Sequence, residues 1–405
     1  MAAQAAPVAI TGLGVIGATG RGVAAMDAAL KQGREGVGPL SLWQSPLHFP
    51  VGEYRGPRLE DHLPALELQP RMSRSDMLAL VATHEALQQA RLAAPALAKA
   101  RAGAYMGQSV CGTLTSEAVY IGAIESAAAG DTGKRSYAGL LVHEGANTLD
   151  LMARIFGLPG PTLNFLTACS SAANAIGLAA EVIRSGRSDV MLAGGADSLS
   201  NIVFNGFCSL KVVSPDGPRP FDRQRQGMMV GEGAGVLVLE SVAHAKARGA
   251  NVLALLTGYG HSCDAHHLTA PHPQGRGAIE AMTAALAQAG LSAPDIGYIN
   301  AHGTATRDND DVESRAIAQV FGDRTPVSST KRFFGHTLAA AGGVEAVVSV
   351  RAMQLGELPQ NLGTHDPEPG IDLVLQPRQA SVKHVLSNSF GFGGNNAALI
   401  FSRSE

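Results

Sequence analysis

Cysteine, aromatic residues and charge are all scarce in this sequence, and each scarcity removes a class of explanation. The chain of 405 residues holds four cysteines, Cys111, Cys169, Cys208 and Cys263, scattered without a CxxC pair. That spacing argues against a zinc site or a disulfide framework and fits a reducing compartment, so a cytoplasmic location is expected. Aromatic residues make up 5% and charged residues 16%, with a formal net charge of −3. Such a balance suggests neither a nucleic-acid-binding surface nor a disordered acidic tail. The apolar opening MAAQAAPVAITGLGVIG has no basic region before it and carries Pro7 and several glycines, unlike a signal peptide or an anchor. No apolar run is read as long enough to cross a membrane. Neither nucleic acid nor membrane is therefore expected among the partners.

Glycine, at 48 residues, and alanine are plentiful, which points to close helix–sheet packing and many sharp turns, as in a layered α/β protein. A strand is expected at Val8–Thr11, then a helix at Gly22–Gln32, a proline-rich irregular stretch over 35–70, and an amphipathic helix over Ser75–Arg91. Ala102–Gly107, Pro161–Leu166 and Val190–Gly194 read as strands, and GEGAGVLVLE, Gly231–Glu240, as a glycine turn feeding another. The second half replays parts of the first. Asn251–Gly260 offers a new leading strand, Ala278–Ala289 a helix and Ile296–Asn300 a strand, and GFGGNNAALIF, Gly391–Phe401, repeats the glycine-turn-then-strand pattern.

Chemistry concentrates in NFLTACSSAANAIGLAA, residues 164–180, where Cys169 stands between a short buried strand and a helix with almost no polar face. A helix apolar all round is buried. Free amides and the macrodipole at its N-terminus favour a thiolate, which makes Cys169 a candidate nucleophile. A buried structural thiol is the competing reading. Two of the 13 histidines share a comparable setting: His302 in NAHGTATRDND and His336 in STKRFFGHTLAAAGG. Each follows a short apolar strand and opens toward glycine, and His336 precedes a second alanine-rich helix much as Cys169 precedes the first. One histidine beside the cysteine would suit a base and nucleophile; two neutral ones can also donate to a developing oxyanion, as a carbanion-forming step requires.

Cys169 in TACSSA, His302 in NAHGTAT, Lys331 and His336 in STKRFFGH, and the closing NSFGFGGNN resemble the condensing β-ketoacyl-acyl carrier protein synthases of the thiolase superfamily. The resemblance runs from ITGLGVIG to ALIF and takes in RPFD and GEGAGVLVLE; NGFCSL, TAPHPQG, ESRA and GGNN look closer to ketosynthases of the aryl-polyene type than to the housekeeping elongation enzymes. It implies a duplicated thiolase fold, five-layered α-β-α-β-α, with buried helices between two mixed sheets. The halves are expected at residues 1–249, carrying the cysteine, and 250–405, carrying both histidines.

The resemblance also assigns roles. Cys169 would take an acyl group from carrier-protein phosphopantetheine, while His302 and His336 would bind the malonyl thioester carbonyl, with Lys331 and Glu345 as a supporting pair near the second histidine. Backbone amides of Cys169 and Phe392 would form the oxyanion hole. Val110, Phe207, Thr269, Thr304, Thr306 and Phe392 would line the substrate path, with Val110 as floor of the acyl tunnel. Asp310 and Glu313 match family acids near the active-site loop. Arg71, Arg74, Lys134, Arg135 and Lys211 would meet an acidic acyl carrier protein. No cofactor or metal is implied, and the assembly expected is a homodimer, or a heterodimer with a chain-length-factor-like subunit. Two departures stand out: Arg307 where relatives carry proline or a small apolar residue, and GGNN for the commoner GGTN. A degradative thiolase would need a second cysteine in the closing glycine loop; a carrier-binding scaffold subunit remains the alternative from another class.

Overall fold

A computed structural model describes residues 5–63, 72–131, 133 and 136–404. Its centre is a mixed sheet of twelve strands, ten of which fall into two matching sets of five. The first set is β1 (Val8–Gly17), β2 (Gly103–Gly107), β3 (Thr162–Phe165), β4 (Val190–Asp197) and β5 (Gly233–Ser241). The second is β6 (Ala254–Cys263), β7 (Tyr298–Asn300), β8 (Pro326–Ser328), β9 (His384–Gly391) and β10 (Asn395–Ser402). Spatial order is β3-β2-β4-β5-β1 in one half and β8-β7-β9-β10-β6 in the other. Directions match too: the leading strand, the last strand and the fourth pair antiparallel, and the outer two pairings are parallel. The repeat that is faint in sequence is thus complete in topology.

The two mixed sheets that the resemblance implies meet at their leading strands. β1 and β6 pair antiparallel through Val8↔Leu256, Ala9↔Leu255 and Ile10↔Ala254, so the hydrogen-bond ladder runs through from one half to the other. The layering still follows the expected order. Helices α1 (Arg74–Ala90) and α2 (Ala146–Phe156) cover the outside of the first half, α4 (Arg276–Ala289) and α5 (Arg307–Phe321) that of the second. Between the halves lie α3 (Ser171–Arg184) and α6 (Ala341–Leu355), each packed on strands of both.

This packing explains why β1, buried along its whole length, reads VAITGLGVIG. A β-carbon at Gly12 or Gly14 would stand 2.1 Å from Ala86 O or 1.8 Å from Ala82 O, so α1 can lie flat on the strand only over glycine. The same need for close approach fills α3 with alanine, and Ile176, Ala179, Ala180 and Ile183 join Val344, Val347 and Val348 of α6 in one central core. Burial of that kind is the main stabilising term in the fold. One expectation needs correction here. Leu338–Leu355 is an 18-residue apolar stretch, long enough to cross a membrane, but it is 83% buried as the core helix α6 and its approach.

Candidate active site

Both buried helices start from the same device. Ala168 takes a left-handed φ of 52° before the short turn Ala168–Ser170 and α3; Leu338 takes a φ of 54° before Leu338–Ala340 and α6. The residue equivalent to Cys169 is therefore Ala339, and His336 stands three positions upstream of it, a closer register than the sequence comparison gave. Ser170 Oγ and Ser171 Oγ donate back to Thr167 O (2.8 Å) and Ala168 O (2.6 Å), and Asn174 Nδ2 donates to Thr167 Oγ1 at 2.8 Å. These bonds hold the strained turn closed, with Cys169 8% exposed at its tip.

His336 Nε2 lies 3.0 Å from Cys169 Sγ. His336 is held by its backbone, its amide donating to Met229 O at 2.7 Å and its carbonyl accepting from Gly231 N at 2.9 Å. The ring of His302 meets that of His336 edge-on, centroids 5.3 Å apart at 82°, and packs on Phe390 at 6.0 Å. His302 follows β7, and Glu313 of α5 accepts the amides of His302 and Gly303, each at 2.8 Å. Lys331 Nζ donates to His302 O at 2.8 Å and pairs with Glu345 of α6. The pair expected beside the second histidine thus makes its direct contact with the first.

Burial dominates the electrostatics. It pushes the Cys169 thiol up to about 11, against the pull of the Lys331 charge and the Phe392 amide, so the helix N-terminus does not win by itself. Burial, then the Lys331 charge, hold both imidazoles well below the ordinary histidine range, and His302 also feels His336. Glu345 is raised to about 7, again chiefly by burial. The resting centre is a neutral thiol between two neutral rings, all facing a cavity of about 240 Å³. The three donor atoms lie within 4.8 Å of one another, close enough to ligate a soft cation as well as to share a proton.

The other predicted residues divide. Phe207, Thr269, Thr304, Thr306 and Phe392 all line the cavity, with Phe207 and Phe392 rings 6.0 Å apart and the two threonine hydroxyls bonded at 2.9 Å. Thr269 is set by His267, whose Nδ1 accepts its amide at 3.1 Å. Asp310, raised to about 7 by burial, accepts Ala305 N at 3.1 Å and Phe221 N at 2.7 Å and so shapes the loop between the threonines. Val110 lies behind the wall, buried in an apolar cluster with Phe204, Met228 and Leu338 against which Phe207 packs. Arg74 is a correction: its guanidinium forms a two-pronged pair with fully buried Glu232, Nε to Oε2 at 2.8 Å, and donates to Tyr54 O at 3.2 Å. Its charge is committed inside the fold. Lys211 sits at the mouth, in a neighbouring cleft with Thr306, Arg307 and Asp308. Arg71, Lys134 and Arg135 lie outside the described residues. Asp264 and Asn396 also line the cavity, bonded at 3.2 Å, and went unnoticed in sequence because neither carries a motif of its own.

Comparison with known proteins identifies the family. The model for the N-terminal domain of beta-ketoacyl synthases matches residues 5–245, and that for their C-terminal domain residues 253–365. The chain belongs to the β-ketoacyl synthase family. Ketosynthases are condensing enzymes, acyltransferases by reaction type. Among relatives, nodulation protein E of Rhizobium meliloti (strain 1021) is 38% identical over 98% of this chain and 99% of its own. The 3-oxoacyl-[acyl-carrier-protein] synthase 2 of Staphylococcus aureus (strain COL) is 34% identical over 98% of each. Of solved structures, the ishigamide ketosynthase/chain length factor superposes with a TM-score of 0.92 at 32% identity, over 99% of this chain and all of that one.

Proposed function

We propose that this ketosynthase is an elongating 3-oxoacyl-[acyl-carrier-protein] synthase of fatty acid or polyketide synthesis, working by decarboxylative condensation. The observation that carries this reading is the 3.0 Å contact between Cys169 Sγ and His336 Nε2 inside a cavity that His302 also faces. The Cys169 sulfur attacks the acyl carbonyl of a pantetheine thioester; the pantetheine sulfur leaves and takes the thiol proton, which His336 Nε2 is placed to pass on. The malonyl thioester then enters. Its carboxylate departs as carbon dioxide, and the electron pair left behind forms an enolate whose oxygen receives hydrogen bonds from His302 and His336. The carbanion attacks the acyl carbon, the amides of Cys169 and Phe392 take the tetrahedral oxyanion, and the Cys169 sulfur leaves and regains one proton, taken up from solvent. Lys331 and Glu345 orient His302 through its carbonyl. No metal and no cofactor beyond the carrier's own pantetheine enters this scheme.

We assign the first half, 1–249, to the acyl-enzyme and the second, 250–405, to the histidines. The acyl carrier protein would dock at the mouth beside Lys211, with Val110 at the closed end of the acyl path. A second subunit is supported by the edge of the sheet: β3 is its terminal strand, and Leu163 on it and Leu166 just after it are 47% and 65% exposed, as are Tyr120 and Ile124 of the helix Thr113–Ala128 at 64% and 51%. That subunit would be a second copy or a chain-length-factor-like partner, as the ketosynthase/chain length factor neighbour suggests. Intact-protein mass spectrometry after incubation with a mixture of acyl-carrier proteins tests the whole reading: acyl mass should appear on the wild type and vanish in Cys169→Ala. A wild type that never acquires acyl mass would leave only a carrier-binding scaffold.

A further inference from the structure

The two equivalent turns are finished differently, and the difference lies in the strand that crosses to each. β4 and β9 are both eight residues long and end on matching last pairs, Asp197↔Gly233 and Gly391↔Asn395. The end of each strand packs on the other half's turn. At the Cys169 turn the strand ends in glycine, and a β-carbon on Gly391 would stand 3.1 Å from the Cys169 nitrogen and 2.9 Å from Thr167 O. The missing side chain leaves room beside that amide. At the Ala339 turn the strand ends in Asp197, and its Oδ2 accepts the Ala339 amide at 3.0 Å. The second turn is plugged by a carboxylate where the first is open.

The same carboxylate does a second job. It accepts three successive amides of the loop after β2, namely Ser109 at 3.0 Å, Val110 at 2.8 Å and Cys111 at 3.2 Å, together with the Ser109 hydroxyl at 2.7 Å. Cys111 is bent to a left-handed φ of 51°, which turns the three N–H groups inward as an anion-binding nest. Asp197 is 0% exposed, so nothing but these donors compensates its burial. Val110, whose amide it holds, and Leu338, next to the amide it plugs, meet in the apolar cluster behind Phe207.

We propose that Asp197 is a positioning residue for acyl-chain length: by tying the Ser109–Cys111 loop to the Ala339 turn, it fixes Val110 and Leu338 together and sets where the chain held on Cys169 must end. The inference rests on the reading of Cys169 as the acyl carrier. It also explains why a duplicated fold uses one turn only, since the Ala339 amide is already occupied.

Asp197→Asn keeps the shape but replaces one accepting oxygen with an NH₂ that faces donors, so at least one amide of the nest or of Ala339 loses its acceptor. Elongation of a ladder of saturated acyl-carrier proteins by the wild type and this variant reads the effect. The expected result is a product distribution displaced or broadened by at least one elongation step. Ser109→Ala, which removes only the hydroxyl donor, should move it in the same direction by less, and it decides the matter if Asp197→Asn does not fold. An unchanged length distribution in the folded variants overturns the proposal, as does a uniform loss of every product with the distribution kept, which marks a merely structural role. Failure of the underlying reading looks different: the wild type itself would carry no acyl mass on Cys169.

Discussion

His336 and Cys169 touch through Nε2 and Sγ at 3.0 Å, yet the surroundings hold the sulfur as a thiol and the ring neutral. The sign of the pH dependence follows. With the thiol raised to about 11, the thiolate fraction grows with pH across the whole neutral range, so alkylation of Cys169 by a neutral reagent should accelerate about tenfold per pH unit from pH 7 to 10. Replacing Lys331 with methionine removes a charge that lowers the thiol, so the profile should move to still higher pH. A rate plateau below pH 8 would reveal a preformed thiolate–imidazolium pair instead.

On the proposed reading, labour is divided between the halves in a way that substitutions can separate. Cys169→Ala removes the acyl carrier but leaves His302 and His336 facing the cavity, so condensation should disappear while malonyl-carrier protein is still decarboxylated. His302→Ala and His336→Ala each remove one enolate donor, and decarboxylation should fall by about a hundredfold to a thousandfold in each. The measurement is carbon dioxide release beside product formation. Continued elongation by the Cys169→Ala protein would refute the assignment of the nucleophile.

The site was more legible in sequence than the contacts that set it. Cys169, His302 and His336 announce themselves because each stands where an apolar segment breaks at a turn, a local pattern that one dimension records. Their supports are not local. Asp197 closes β4 as one letter of GGAD and looks like a turn residue, but its partners lie near residues 110 and 339. Arg74 shows the same limit from the other side: a basic residue at a helix start reads as surface charge, and only the fold brings it to Glu232 across 158 residues. The repeat was faint for a related reason. The two halves share strand order and turn geometry, while the residues at matching places, cysteine and alanine or aspartate and glycine, have been put to different uses.

Gly391 offers a test of the open turn. A methyl group there, 3.1 Å from the Cys169 nitrogen, crowds the amide that the oxyanion is to use without touching the thiol's partner His336. Gly391→Ala should therefore slow acyl transfer to Cys169 by about a hundredfold, the usual cost of one oxyanion donor, while decarboxylation falls far less. Single-turnover acylation followed by mass spectrometry separates the two. Equal loss of both activities would mean that the methyl group has displaced the whole Phe392 loop.

Lys211 stands in a cleft beside the cavity, which it shares with Arg307. A carrier protein of acidic surface is drawn by such charges before any specific contact forms, so their contribution falls with salt and acts mainly on association. Lys211→Glu should raise KM for malonyl-carrier protein several-fold at low ionic strength, and the double variant with Arg307→Glu should raise it further. Both should flatten the salt dependence, because less attraction remains to be screened. A small thioester that lacks the carrier should be turned over at the wild-type rate by Lys211→Glu, since the lysine stands outside the centre where Cys169 and the histidines act. Equal losses on the carrier-bound and the small substrate would take Lys211 out of the docking surface and place its effect on the helix Asn201–Ser209 that carries Phe207.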